Sequence, residues 1–397
     1  MNIKRITIAA AMIAALSVPT FAQDNAPKKA EYEFTTVKEN WISPIKNQYR
    51  SGTCWCYSAI GFVESEIARI TGNKNVDLSE MFVVGKAYKD RAIKYVRLDG
   101  HLNLAAGSSF GDVLHVIKDY GCIEEAAYKG LNYGTEMPEQ FELDAVIKAY
   151  ADAVKDVPNR DKLTTAWRNG LQGVLDAYLG EVPETFVVDG KTYTPEEYRD
   201  FLKINPDDYV NITSFSHQPW YKPFVIEVCD NWRWDTAYNL PLDEMMEVLY
   251  NAIEKGYTFA WGADVSEKGF TRDGLAVMPV EKKKAQGSDQ ERWVGKAKEE
   301  AEAAEPELPE EIEVTQESRQ DGYERKYTTD DHGMQIYGLA KDQNGTNYFM
   351  VKNSWGEAGK YKGIWYASDT FVRAKTMNVV VHKDALPKNI KKKLGIK

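Results

Sequence analysis

Four cysteines in 397 residues, Cys54, Cys56, Cys122 and Cys229, are too few for a scaffold built on disulfides. They leave at most a Cys122–Cys229 bridge once the close pair is set aside. No segment combines a Lys/Arg run with interleaved aromatics, and the formal net charge is −10, which argues against a nucleic-acid partner. Long apolar runs are also missing: the longest, Ile6 to Val18, has about 13 residues against the roughly 20 that span a bilayer. Membrane insertion of the remaining chain is therefore not expected. Only five histidines are present. His101, His115, His217 and His382 have no neighbour at ligand spacing, so polar or core roles are expected for them and no metal site is implied.

That short apolar run follows Lys4 and Arg5 and precedes Thr20-Phe21-Ala22, the pattern of a cleaved export signal over residues 1–22. A periplasmic or secreted location is the expectation. The rest divides by pattern. Residues 23–205 read as a mainly helical lobe with a helical insertion. A helix starts at Cys54 and closes at Gly72, another is announced by Leu78-Ser79-Glu80, and a third ends at Gly121. Trp167, Leu171, Val174, Leu175 and Tyr178 share one helical face, and Thr194-Pro195-Glu196-Glu197 carries a capping box. Residues 206–397 read as a β-rich lobe, with one helix at 242–254 and a Lys/Glu-dominated, solvated excursion over 281–313.

The stretch Ser51-Gly52-Thr53-Cys54-Trp55-Cys56 places two thiols two positions apart where loop turns into helix. A zinc site needs a second ligand pair, and none is near. A redox pair needs two intervening residues; with one, the side chains diverge by about 200° around the helix. Cys54 is left alone at the positive end of a helix dipole, where a thiolate is favoured and a pKa below the ~8.5 of a free thiol is expected. Cys56 is expected in the core. Gln48 lies six residues upstream, where its amide can join the Cys54 backbone N–H in holding an oxyanion. Downstream, Asp330-Asp331-His332-Gly333-Met334 begins one strand and Tyr348 to Gly356, with Asn353, contains another, so nucleophile, base and orienting group occur in that order.

Together these residues resemble the papain-like cysteine peptidases, more closely the bleomycin hydrolase or aminopeptidase C branch. The resemblance rests on Gln48 with Gly52-Thr53-Cys54-Trp55, on His332-Gly333 and on Lys352-Asn353-Ser354-Trp355-Gly356. It extends to His217 through Pro223, to Asp230-Asn231-Trp232 and to Asp264 through Phe270. It implies an α+β papain-like fold, a helical lobe and an antiparallel β-barrel-like lobe with the cleft between them. It further implies Gln48 as oxyanion donor, Cys54 as nucleophile, His332 as base and Asn353 as its orienting group. Trp355 would shield the Asn353–His332 bond, and Gly107 would hold the substrate backbone. A peptide substrate, no cofactor and a homohexamer follow from the same resemblance. Two other readings use similar residues: a catalytically silent peptide-binding relative, and a thiol amidohydrolase or transglutaminase.

Ser51 stands where secreted papain-like enzymes carry a disulfide cysteine, in agreement with the bleomycin hydrolase branch. In that branch the chain end lies in the cleft and restricts cutting to N-terminal residues. Here 44 residues follow Asn353, ending in Lys391-Lys392-Lys393-Leu394-Gly395-Ile396-Lys397. Such a tail looks too short to reach, so an endopeptidase stays an alternative to an aminopeptidase. A two-residue turn at Asn344-Gly345 would leave Asn353 roughly 13 Å along the strand from His332. A loop of about seven residues, Ala340 to Thr346, would pair Leu339 with Asn347 and set Asn353 opposite Gly333. The longer loop is expected.

Overall fold

Helices begin where short polar side chains can take up orphan backbone N–H groups. Ser79 accepts from Phe82 N–H at 3.2 Å, and capping boxes close at Ser109/Asp112 and at Thr194/Glu197. The computed structural model describes residues 31–157, 162–280 and 308–397. The export signal expected over 1–22 and most of the 281–313 excursion lie outside the described residues.

In chain order the helices are α1 (Cys54–Thr71), α2 (Glu80–Arg97), α3 (Phe110–Tyr120), α4 (Phe141–Lys155), α5 (Ala166–Leu179), α6 (Pro195–Phe201), α7 (Leu242–Glu254), α8 (Gln316–Glu324), α9 (Asp369–Lys375) and α10 (Lys388–Leu394). The strands are β1 (Thr35–Glu39), β2 (Phe186–Val188), β3 (Lys191–Tyr193), β4 (Tyr209–Thr213), β5 (Pro223–Val225), β6 (Thr236–Asn239), β7 (Phe259–Ala263), β8 (Leu275–Ala276), β9 (His332–Lys341), β10 (Asn347–Lys352), β11 (Ile364–Ser368) and β12 (Thr376–His382). Among the described residues no helix is long and apolar enough to cross a membrane.

One large sheet runs β5-β6-β4-β12-β7-β9-β10-β11-β8, and β1, although it comes from the mainly helical part of the sequence, pairs with β9. Most pairs are antiparallel, as expected, but β4–β6 and β11–β8 are parallel, so the sheet is mixed. Helix α1 is buried on almost every side, including Glu64 and Glu66, because it lies between the other helices and strands β7 and β9. It ends at Gly72, whose φ of 77° a residue with a side chain would resist. One apolar core joins α1–α5 to Tyr209, Ala260 and Val380. A second fills the space among α7, β7, β9, β10 and α10.

The β9–β10 hairpin is a correction. Its loop is Asp342–Thr346, shorter than the expected seven residues and longer than a two-residue turn, and Leu339 pairs with Phe349, not Asn347. Asp342 sets the length: its Oδ1 accepts from the N–H groups of Asn344 and Thr346, both at 2.9 Å, and Gly345 supplies φ 84°. A bulge at Tyr337 then shifts the register by one residue toward the cleft end. Loop and bulge together bring Asn353 close enough for its side chain to cover the remaining distance to His332.

Candidate active site

The first turn of α1 opens into a cleft of about 350 Å³, lined by Cys54 and Trp55 on one side and His332 and Gly333 on the other. The two thiols do diverge. Cys54 faces the cleft, whereas Cys56 is fully buried with its sulfur 3.4 Å from the Glu80 carbonyl oxygen. Gly333 allows the close approach of β9 to α1: a Cβ there would fall 2.8 Å from Ser58 Oγ and 3.2 Å from Trp55 Cα. Its backbone N–H points at the Cys54 sulfur.

The tripeptide Asn353-Ser354-Trp355 serves two partners at once, His332 and Gln48. Asn353 Oδ1 accepts from His332 Nε2 at 2.8 Å, which leaves Nδ1 as the basic nitrogen. Trp355, 37% exposed, stacks on the imidazole at 4.7 Å between ring centres and covers it from solvent; Phe270 and Trp365 buttress the indole. Ser354 hydroxyl donates to Gln48 Oε1 at 2.6 Å, and Gln48 Nε2 donates to the Ser51 carbonyl at 2.8 Å. With its oxygen pinned, the Gln48 amide keeps its second N–H for the cleft that it lines. Backbone bonds from Gln48 N–H to Ser354 O, 2.8 Å, and from Gly356 N–H to Lys46 O, 3.1 Å, tie the two segments together. In the sequence Ser354 stands out only as part of a motif and Ser51 only at the disulfide position; their pinning of Gln48 is visible only in three dimensions.

The expected low pKa of Cys54 is overturned. Burial pushes the thiol up to about 11, and the N–H groups of Gly333 and Trp55 offset only part of that rise. Burial likewise pulls the His332 imidazole down to about 4, against the opposing hydrogen bond to Asn353. In both cases burial disfavours the charged form.

Gly107 lines the cleft, packed so tightly that a Cβ would fall 2.0 Å from Asp230 Oδ2, and its carbonyl is already engaged by Arg91. Sequence reasoning passed over the carboxylates. Asp230, Asp235, Asp330 and Asp331 all line the cleft, and no Lys or Arg does among the described residues. Asp230 receives Asn103 Nδ2 at 3.0 Å, Asp235 pairs with His115 at 2.9 Å and Asp331 accepts from Thr329 at 2.7 Å. Asp330 accepts no hydrogen bond among the described residues. It is open to the cleft yet deep among protein atoms, and this surrounding, with Asp230 and Asp331, raises its carboxyl to about 7. Cys122 is buried and Cys229 exposed, and both are free, so the available bridge is not formed.

Two family models match the chain: the papain family cysteine protease model over residues 29–97 and the Peptidase C1-like family model over 307–396. The first holds Cys54 and the second His332 and Asn353. The chain is 22% identical to aminopeptidase C of Listeria innocua, the alignment covering 93% of this chain and 87% of that protein. It is 21% identical to aminopeptidase C of Lactobacillus delbrueckii subsp. lactis, over 94% and 86%. The fold resembles the crystal structure of PepW from Lactobacillus rhamnosis HN001, with a TM-score of 0.67, 18% identity and coverage of 91% and 84%. The chain is similar to papain-like cysteine peptidases over the two segments that carry Cys54, His332 and Asn353 and, over most of its length, to aminopeptidase C.

Proposed function

We propose that this cysteine peptidase is an exported aminopeptidase working through Cys54, His332 and Asn353. Cys54 Sγ attacks the carbonyl carbon of the free N-terminal residue as its proton passes to His332 Nδ1. The resulting oxyanion is held by the Cys54 backbone N–H, unpaired in the first helical turn, and by Gln48 Nε2. Collapse expels the peptide amine with the proton from His332 and leaves an acyl-enzyme. Water, deprotonated by His332, then releases the amino acid and restores the thiol. Asn353 keeps the imidazole in the productive tautomer, and Trp355 keeps water from that bond.

The observation that carries the aminopeptidase reading is Asp330, a carboxylate unpaired among the described residues in a cleft lined by no Lys or Arg and suited to an α-ammonium, whereas Asp230 already faces Arg91 at 3.6 Å and Asp235 faces His115. The relatives named aminopeptidase C support it. Asp330→Asn should raise KM roughly tenfold for peptides with a free amine, the worth of one charged contact of about 1.5 kcal/mol, and leave N-acetylated peptides unaffected. Because the Asp330 carboxyl ionises near 7, KM for free-amine peptides should fall as pH rises through that value in the wild type and not in the variant. Equal KM effects on free and blocked peptides would remove the anchor role.

One observation favours an endopeptidase instead. Helix α10 buries Ile390 and Leu394 in the sheet-side core, and no residue from 379 to 397 lines the cleft. Cleavage of N-blocked peptides alone would decide for that reading. Export rests on the pattern of residues 1–22. The secreted protein should begin at Gln23 by N-terminal sequencing, and a chain retaining Met1 would overturn it.

A further inference from the structure

Behind the cleft, Asn353 and Gln335 each bury a polar atom that has no partner among the described residues. Asn353 is 1% exposed. Its Oδ1 accepts from His332 and, at 2.7 Å, from Ser354 N–H, so its Nδ2 is turned away and meets nothing. Gln335, fully buried in β9, donates from Nε2 to Ser65 Oγ at 2.8 Å and Thr258 Oγ1 at 3.1 Å, and its Oε1 is unpartnered. A donor and an acceptor are therefore both left over, and both residues line one small chamber with Gly61, Glu64 and Lys352. The chamber leaves about 10 Å³ for the centre of a water molecule, the threshold for holding one. Gly61 keeps it open: a Cβ there would lie 3.0 Å from both Gln335 Oε1 and Lys352 Nζ.

We propose that this chamber is a single-water site and that Gln335 is, through that water, a positioning residue for His332; this rests on the catalytic reading of Asn353 above. The water accepts from Asn353 Nδ2 and donates to Gln335 Oε1, satisfying both atoms. It also fixes which end of the Asn353 amide faces the imidazole. Without it, that orientation buries an unpaired N–H, and rotations that free Nδ2 compete. In those rotations Oδ1 leaves His332 and the imidazole loses its tautomer and aim.

A crystal structure of the full chain should show one water within hydrogen-bond distance of both Asn353 Nδ2 and Gln335 Oε1. Gln335→Met removes the acceptor, and Gly61→Ala puts a methyl group in the chamber. Each should lower kcat by about tenfold to a hundredfold with KM little changed, and Gln335→Glu, which keeps an acceptor, should restore most of it. A dry chamber, a water touching only one of the two atoms, or unchanged kcat in both variants overturns the proposal, as does a loss confined to thermal stability. If Asn353→Ala itself leaves kcat intact, the catalytic reading fails instead, and the crystallographic water still decides the site.

Discussion

Cys54→Ala should lower kcat/KM by about four orders of magnitude or more on any peptide substrate, and wild-type activity should persist down to about pH 4. The first part follows from chemistry: no other thiol lines the cleft among the described residues, and the residual oxyanion donors cannot replace a nucleophile. The second follows from burial. With the imidazole held down to about 4, His332 stays neutral and able to accept the thiol proton until the pH falls through that value. With the thiol held up to about 11, the proton that later reaches the leaving amine stays on the pair until the pH rises through that value. The acid limb of kcat/KM, measured with an N-blocked peptide if it is cleaved or otherwise with Asp330→Asn, should therefore lie more than two units below the ordinary histidine pKa of 6.5. A limb between 6 and 7 would show that the imidazole is better solvated than this site allows. Persistent hydrolysis by Cys54→Ala would remove the nucleophile from the mechanism.

Helix ends were legible because their signals are local. Ser79, Thr194, Gly72 and Gly121 each mark a terminus by chemistry within one turn, and the structure places caps at all four. The opposite facing of Cys54 and Cys56 needed only helical geometry. The hairpin of β2 and β3 was absorbed into the mainly helical reading of 23–205, although Asp189-Gly190, with φ of 49° and 76°, is a two-residue turn signal between residues of strand type.

What stayed hidden depends on long-range packing. The raised pKa of Cys54 follows from burial in the cleft, which no helix dipole argument contains. The hairpin loop length depends on an Asp342 turn, and the register on a bulge at Tyr337. Asp230 and Asp330 stand 100 residues apart and become one electrostatic group only because the segment leading into β9 and the β5–β6 connection meet at the cleft. Ser354 is an ordinary hydroxyl in sequence and a clamp on Gln48 in space.

Arg319 gives the largest expected effect on stability. Its guanidinium is wholly buried with no carboxylate beside it among the described residues, and burial alone pulls it down to about 9. It is retained by carbonyls: Nε donates to Ser214 O at 2.8 Å, Nη1 to Arg373 O at 3.0 Å and Ala374 O at 3.4 Å, and Nη2 to Thr376 O. Three of these lie where α9 ends and β12 begins, the negative end of a helix, and Phe215 lies 4.9 Å from the guanidinium carbon. The contact ties α8 to the strand that carries Met377 and Asn378 into the cleft wall. Arg319→Met removes the cost of a buried charge but leaves several carbonyls without donors, each worth about 1 kcal/mol or more. The net loss should be roughly 3 kcal/mol, which at about 2–4 °C per kcal/mol lowers Tm by on the order of 8 °C. Arg319→Lys keeps the charge and fewer donors, and should fall between. Calorimetry of the three proteins at one pH tests the order; a methionine variant as stable as wild type would mean that the desolvation cost of the guanidinium equals all that its four carbonyl contacts return.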